Sequence, residues 1–237
     1  MKTKPSQYIY ILPNLFTAAS IFFGVLSMVS TINADFTKAA WLILLSLIFD
    51  GLDGRVARLT NSCSKFGMEF DSLADIVAFG VAPALLLYLY VGHEFGRFGI
   101  VVSALFVIFG AIRLARFNVM SSSAEPSVFI GVPIPTAAVF IALQILLFQK
   151  YNLKVSFDVA LLVMALAVSM LMVSNIRYPS FKKIDTSPKN VRKLFIMILV
   201  IGVTLFVFPT EGCVTLFTLY LLYGPLRAVM LFFKKIS

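Results

Sequence analysis

The chain has 237 residues, 60% of them hydrophobic and only 13% charged, about half the charged share of an ordinary soluble domain. It has too little polar surface to cover itself in water, which excludes a soluble globular enzyme and a polar disordered chain. The formal charge of +9 does not require nucleic acid as a partner, because lysines and arginines crowded on one face of a membrane protein produce the same excess.

In chain order, apolar stretches fall at about 9–31, 37–60, 68–92, 97–119, 131–149, 156–176, 192–210 and 212–234. Each is close to the roughly 17 to 25 residues that a helix needs to cross a bilayer. The pattern predicts an all-α fold: one integral membrane domain over residues 1–237, a polytopic bundle of about eight transmembrane helices. Lys2 and Lys4 precede the first stretch, which outruns a signal peptide's apolar region and has no clear cleavage site, so it reads as a retained span. Trp41 reads as an interfacial anchor.

Assigning loops alternately to the two sides leaves Lys38, Arg97, Lys150 and Lys154 on one side and the other 16 of the 20 basic residues on the opposite side. The positive-inside tendency then places both termini and the Arg55–Lys65 connection in the cytoplasm, in a cytoplasmic (inner) membrane. The same basic face suits anionic lipid headgroups. Cys63 and Cys213 fall near opposite faces and predict no disulfide. His93, the single histidine, falls on the outer side, away from the charged cluster described next.

That cluster lies at the facing ends of the second and third spans. Asp50 and Asp53 are spaced i, i+3, and Asp71 and Asp75 are spaced i, i+4, so on helices each pair projects from one face. Four carboxylates at the edge of the apolar zone repel one another and lose hydration, so a compensating cation is required. Arg55 and Arg58 are the only basic side chains close in sequence. Hard divalent cations such as Mg2+ or Mn2+ favour carboxylate oxygen and bridge to phosphate. Two such ions held by four aspartates suit displacement at phosphorus. Beside the aspartates, Gly54, Ala57 and Gly67 leave room for a bulky ligand near the backbone; close helix packing by small residues is the alternative. Arg58 is a candidate phosphate partner, or a snorkelling cytoplasmic arginine.

At these residues the chain resembles the CDP-alcohol phosphotransferases. Asp50, Asp53, Gly54, Ala57, Arg58, Gly67, Asp71 and Asp75 match the family signature D-x2-D-G-x2-A-R-x8-G-x3-D-x3-D at every fixed position, within residues 50–75. The resemblance implies that the four aspartates bind two divalent ions and that Asp75 is also the catalytic base for an acceptor hydroxyl. It further implies that Gly54, Arg58 and Ser64 contact the CDP part of a CDP-linked lipid, that Asn14 and Thr17 face the same pocket, and that the enzyme is a homodimer.

Arg113 to Asn118 (R-L-A-R-F-N), Phe129 to Pro135 and Ser174 to Lys182 resemble the bacterial membrane-integrated branch of the family. That branch moves phosphatidyl from CDP-diacylglycerol to L-serine. Read from the residues alone, these segments are cytoplasmic helix ends whose guanidinium and amide groups suit a carboxylate-bearing acceptor, with Arg113, Arg116 and Asn118 as candidates. Another acceptor, such as glycerol 3-phosphate or inositol phosphate, would use the same chemistry. A cation transporter would carry its aspartates nearer mid-membrane, and a lipid-binding scaffold would not need the carboxylate spacing.

Overall fold

The structure, a computed structural model, describes residues 11–121, 128–153, 157–179 and 202–236. The seventh expected span, 192–210, therefore lies largely outside the described residues, as do Lys2, Lys4, Lys154, Lys182, Lys183, Lys189, Arg192 and Lys193.

Helices α1 (Ile11–Ile32) and α2 (Phe36–Leu59) form an antiparallel hairpin. Asp35 caps α2 by accepting the Lys38 N–H at 3.1 Å. Along α1 the buried residues are Pro13, Thr17, Ser20, Gly24, Ser27, Ser30 and Thr31, whereas Leu15, Phe22, Val25 and Val29 are exposed. Lipid offers no hydrophobic force between helices, so small residues and hydrogen bonds must join them. They do: Ser20 Oγ and Ser46 Oγ lie 2.8 Å apart, and Ser27 Oγ donates to the Ala39 carbonyl at 2.8 Å. At Gly24 a Cβ would stand 2.8 Å from the Ala78 Cα, a backbone atom that cannot swing aside. Gly24→Ala is therefore expected to lower stability by about 1–3 kcal/mol, the usual range for overpacking, measured as a shift in the thermal unfolding midpoint in detergent.

The third expected span, 68–92, needs correction. It starts earlier, at Lys65, and is not one uniform helix: α3 (Lys65–Asp75) runs into a π-helical turn (Ile76–Val81) and then α4 (Ala82–Tyr90). The early start follows from Ser64, whose Oγ accepts the Gly67 N–H at 3.0 Å and caps the helix. The wide turn begins immediately after Asp75, and Ala82 N–H donates to the carbonyl of Val77, five residues back. Such a turn adds a residue to the helix and rotates everything beyond it. It brings Ala78 and Phe79 into the core, where both are fully buried.

After a 3-10 turn (Gly92–Phe95) come α5 (Arg97–Ser121), α6 (Ile134–Tyr151), α7 (Asp158–Val173) and α8 (Pro209–Ile236). Helix α6 is central, with 12 of its 18 residues buried on every face. Ile11–Ile32, Lys65–Tyr90, Arg97–Met120 and Ile134–Tyr151 are long and apolar enough to cross a membrane. Helix α7 is shorter than its expected span, 156–176. It stops at Val173 because the following segment is extended and forms strand β2 (Arg177–Pro179), antiparallel to β1 (Val128–Ile130) with Phe129 opposite Tyr178.

This small ribbon corrects the reading of residues 129–130 and 177–179 as helix ends. Ile134 and Pro135 do open α6, Ser174 caps α7, and residues 180–182 lie outside the described residues. Gly131 adopts a φ of 72° and donates its N–H to the Ile176 carbonyl at 2.9 Å, and a Cβ there would meet the Met172 carbonyl oxygen at 2.3 Å. Among the described residues the bundle is otherwise all-α. Its opposite end is closed by the Phe36 and Tyr90 rings, 5.2 Å between centroids, and by Glu211, which accepts from Lys150 Nζ and Tyr151 Oη at 2.5 Å each.

Candidate active site

A tight turn delivers the aspartates. Helix α2 ends where Thr60 N–H and Thr60 Oγ1 both donate to the Val56 carbonyl, at 2.9 and 2.8 Å. Asn61 then takes a φ of 51°, a conformation that Asn tolerates better than most residues, and Ser64 starts α3. Helix α1 packs against both α2 and α3, so the aspartates of the two helices open onto the same end of the bundle. Carboxylate oxygens of Asp50, Asp53 and Asp71 all fall within 4.8 Å of one another.

The fourth carboxylate, Asp75, meets that of Asp50. Its Oδ1 is buried and has no hydrogen-bond partner among the described residues. Asp53 and Asp75 are only 6% and 8% exposed. Among the described residues no lysine or arginine lies within ion-pairing distance of the four; the ion pair there is Lys150 with Glu211, at the other end of the bundle. Buried carboxylates left without a cation are costly. An oxygen-only, multiply negative donor set fits a hard divalent ion.

Of the expected ligand-pocket residues, Thr17 meets the cluster directly. Thr17 Oγ1 lies 2.7 Å from Asp53 Oδ2. A Cβ on Gly67 would lie 3.2 Å from Ser64 Oγ, a tight approach, and 3.6 Å from Asn14 Oδ1, an ordinary contact. Gly54 sits beside Arg58, whose Nη1 would be 3.6 Å from a Cβ there. Arg58 is exposed and Ala57 partly buried. His93 is exposed beyond α4, at the far end of the bundle.

The three acceptor candidates separate in space. Arg113 is 7% exposed, stacks its guanidinium over Phe117 at 5.4 Å, and interacts with Asp75. Arg116 turns toward the C-terminus of α7, where its Nη1 donates to Val173 O at 3.0 Å and Asn175 Oδ1 at 3.2 Å, and its Nη2 to Ser174 O at 3.2 Å. A cation on otherwise unsatisfied helix-end carbonyls serves as a cap. Asn118 Nδ2 donates to Ser72 Oγ at 3.0 Å, which ties α5 to the helix bearing Asp71 and Asp75.

Two residues near the site had no signal in the sequence. Ser72 lies between Asp71 and Asp75 in sequence, but a serine in a helix is unremarkable. Tyr220 of α8 interacts with Arg113 from a helix with no recognisable motif.

A bundle of apolar helices with four aspartates converging at one end defines an oxygen-donor site of the kind used for phosphoryl chemistry. The chain belongs to the CDP-alcohol phosphatidyltransferase family, whose model matches residues 10–173. It is 53% identical to the CDP-diacylglycerol–serine O-phosphatidyltransferase of Helicobacter pylori strain J99 over 98% of this chain and 97% of the relative. It is also 34% identical to the enzyme of that name from Bacillus subtilis, over 73% and 92% of the two chains. With the archaetidylserine synthase of Methanothermobacter thermautotrophicus it shares 39% identity over 71% and 69%.

Proposed function

We propose that this protein is a phosphatidylserine synthase that transfers the phosphatidyl group of CDP-diacylglycerol to the hydroxyl of L-serine, releasing CMP. The observation that carries the reading is Asp75: a buried carboxylate with a free oxygen, next to the Asp50–Asp53–Asp71 cluster and within the field of Arg113. Near full-length relatives named for the same reaction support serine as the acceptor.

Asp50, Asp53, Asp71 and Asp75 would hold two divalent ions, Mg2+ or Mn2+. When bound, these supply charge neutralisation at the pyrophosphate and at the leaving oxygen. Arg58 and Ser64, with Asn14 facing the space beside Gly67, hold the CDP portion, and Gly54, Ala57 and Gly67 let it approach the backbones. Arg113 pairs with the serine carboxylate and orients the hydroxyl toward Asp75. Asp75 takes the proton as the serine O–H bond breaks. The oxygen then forms a bond to the phosphorus that carries diacylglycerol, and the bond from that phosphorus to the CMP oxygen breaks. Burial of Asp75 and Arg113 excludes water as a competing acceptor.

Purified protein in detergent, given CDP-diacylglycerol and a panel of serine, glycerol 3-phosphate and inositol phosphate, should form phosphatidylserine with release of CMP. A lipid product from another acceptor alone would replace the serine assignment. Arg113→Ala should lower kcat/KM for serine about ten- to hundredfold, as expected from a lost charged hydrogen bond of about 1.5–3 kcal/mol, while binding of CDP-diacylglycerol survives. Failure in CDP-lipid binding instead would move Arg113 to the donor site. We also propose that the catalytic end faces the cytoplasm, that the membrane is the inner one, and that the working unit is a homodimer.

A further inference from the structure

We infer that Thr17 is a positioning residue for the metal site, holding the Asp53 carboxylate from the neighbouring helix; this rests on the divalent-ion reading of the aspartate cluster. The resemblance places Thr17 in the CDP pocket, and the structure gives its hydroxyl a partner on the neighbouring helix. A threonine hydroxyl has one proton to donate. Two acceptors are in reach: the Pro13 carbonyl at 3.3 Å and Asp53 Oδ2 at 2.7 Å. The carboxylate is both closer and the stronger acceptor, so the proton goes to Asp53.

Both groups are buried, Thr17 at 3% and Asp53 at 6% exposure, so water does not compete for this bond. The β-branched side chain restricts χ1 and limits the directions that the hydroxyl can take. One turn along the seam, Ser20 Oγ meets Ser46 Oγ at 2.8 Å and donates or accepts there, while Ser46 Oγ also reaches the Ser20 carbonyl at 2.9 Å. These contacts fix the register of α1 on α2 and therefore the place of Thr17 opposite Asp53. With Oδ2 oriented, the remaining lone pairs of Asp53 are presented to the space shared with Asp50 and Asp71. Outer-shell bonds of this kind orient ligating carboxylates, and their loss costs about 10- to 100-fold in metal affinity.

The test is Mn2+ binding to the full chain in detergent without lipid substrate, read from the spin-resonance signal of free Mn2+ and from the Mn2+ dependence of the unfolding midpoint. Thr17→Val preserves shape and deletes the donor; it should weaken Mn2+ binding about tenfold or more. Thr17→Ser keeps the donor and should bind close to wild type. If the valine variant does not fold, Thr17→Ala is read in its place with the same expectation. Wild-type Mn2+ affinity in the folded valine or alanine variant, especially with a raised KM for CDP-diacylglycerol, would overturn the assignment and return Thr17 to the donor pocket. A serine variant as weak as the valine variant would also overturn it, because packing of the methyl group would then be the cause. If wild-type protein itself took up no Mn2+, the metal reading would fail first.

Discussion

Asp75→Asn is expected to reduce kcat by about 10²- to 10⁴-fold, the usual contribution of a positioned general base. The amide matches the carboxylate in shape but cannot take the serine proton, and it also gives a divalent ion a weaker ligand than the carboxylate does. The Asp75 side chain is buried against Asp50 and leaves Oδ1 without a partner, so the substitution removes function without opening a cavity. The variant should elute as folded protein from detergent chromatography and still bind CDP-diacylglycerol. A turnover number within a few-fold of wild type would show that another group accepts the proton.

Asp71→Asn should have an equally large effect on turnover by a different route. Asp71 contributes one of three carboxylate oxygens that converge within 4.8 Å. Removing a ligand should weaken divalent-ion binding by more than the roughly 10- to 100-fold that follows loss of an outer-shell partner. Without metal, however, the four carboxylates repel one another, and neutralising one relieves that repulsion. The metal-free variant should therefore unfold at a higher temperature than metal-free wild type while its activity is lost, an exchange of stability for function expected of strained sites. Chelation of the wild-type enzyme should abolish turnover in the same assay. Full activity in Asp71→Asn would remove the proposed site.

These two outcomes rest on features visible in the sequence. The separations of Asp50 from Asp53 and of Asp71 from Asp75 are helical spacings, and helical spacing is local, so the facing of each pair needs no knowledge of the fold. The positions of α1, α2 and α5 were legible for a similar reason: a bilayer imposes a minimum apolar length on any helix that crosses it. The Ser64 cap was in principle legible too, since a serine before a helical run is a common start signal. The π-helical turn after Asp75 was not, because Ile76–Val81 reads as ordinary apolar helix and the widening depends on what packs against it.

The acceptor candidates show the limit most clearly. Arg113, Arg116 and Asn118 lie within six residues, and nothing in their order says which one faces the substrate. Arg113 is buried over Phe117 within the field of Asp75, but Arg116 finds the carbonyls at the end of α7 and Asn118 finds Ser72. Those partners come from elements distant in the chain, so the division of roles arises from packing.

Apolar composition carried a similar ambiguity. Helix α6 is buried on every face whereas α1 exposes a broad apolar side, yet both qualify by length and hydropathy as membrane spans. In water an apolar face would have to point inward, so hydrophobicity would report burial. In a bilayer lipid and protein interior are nearly equivalent surroundings for a leucine. The chain's pattern therefore established that helices cross a membrane and that four carboxylates meet at one end, through constraints of length and period. Which helix became the core, which arginine became a cap and how α1 reaches Asp53 followed from small residues and hydrogen bonds brought together by the fold.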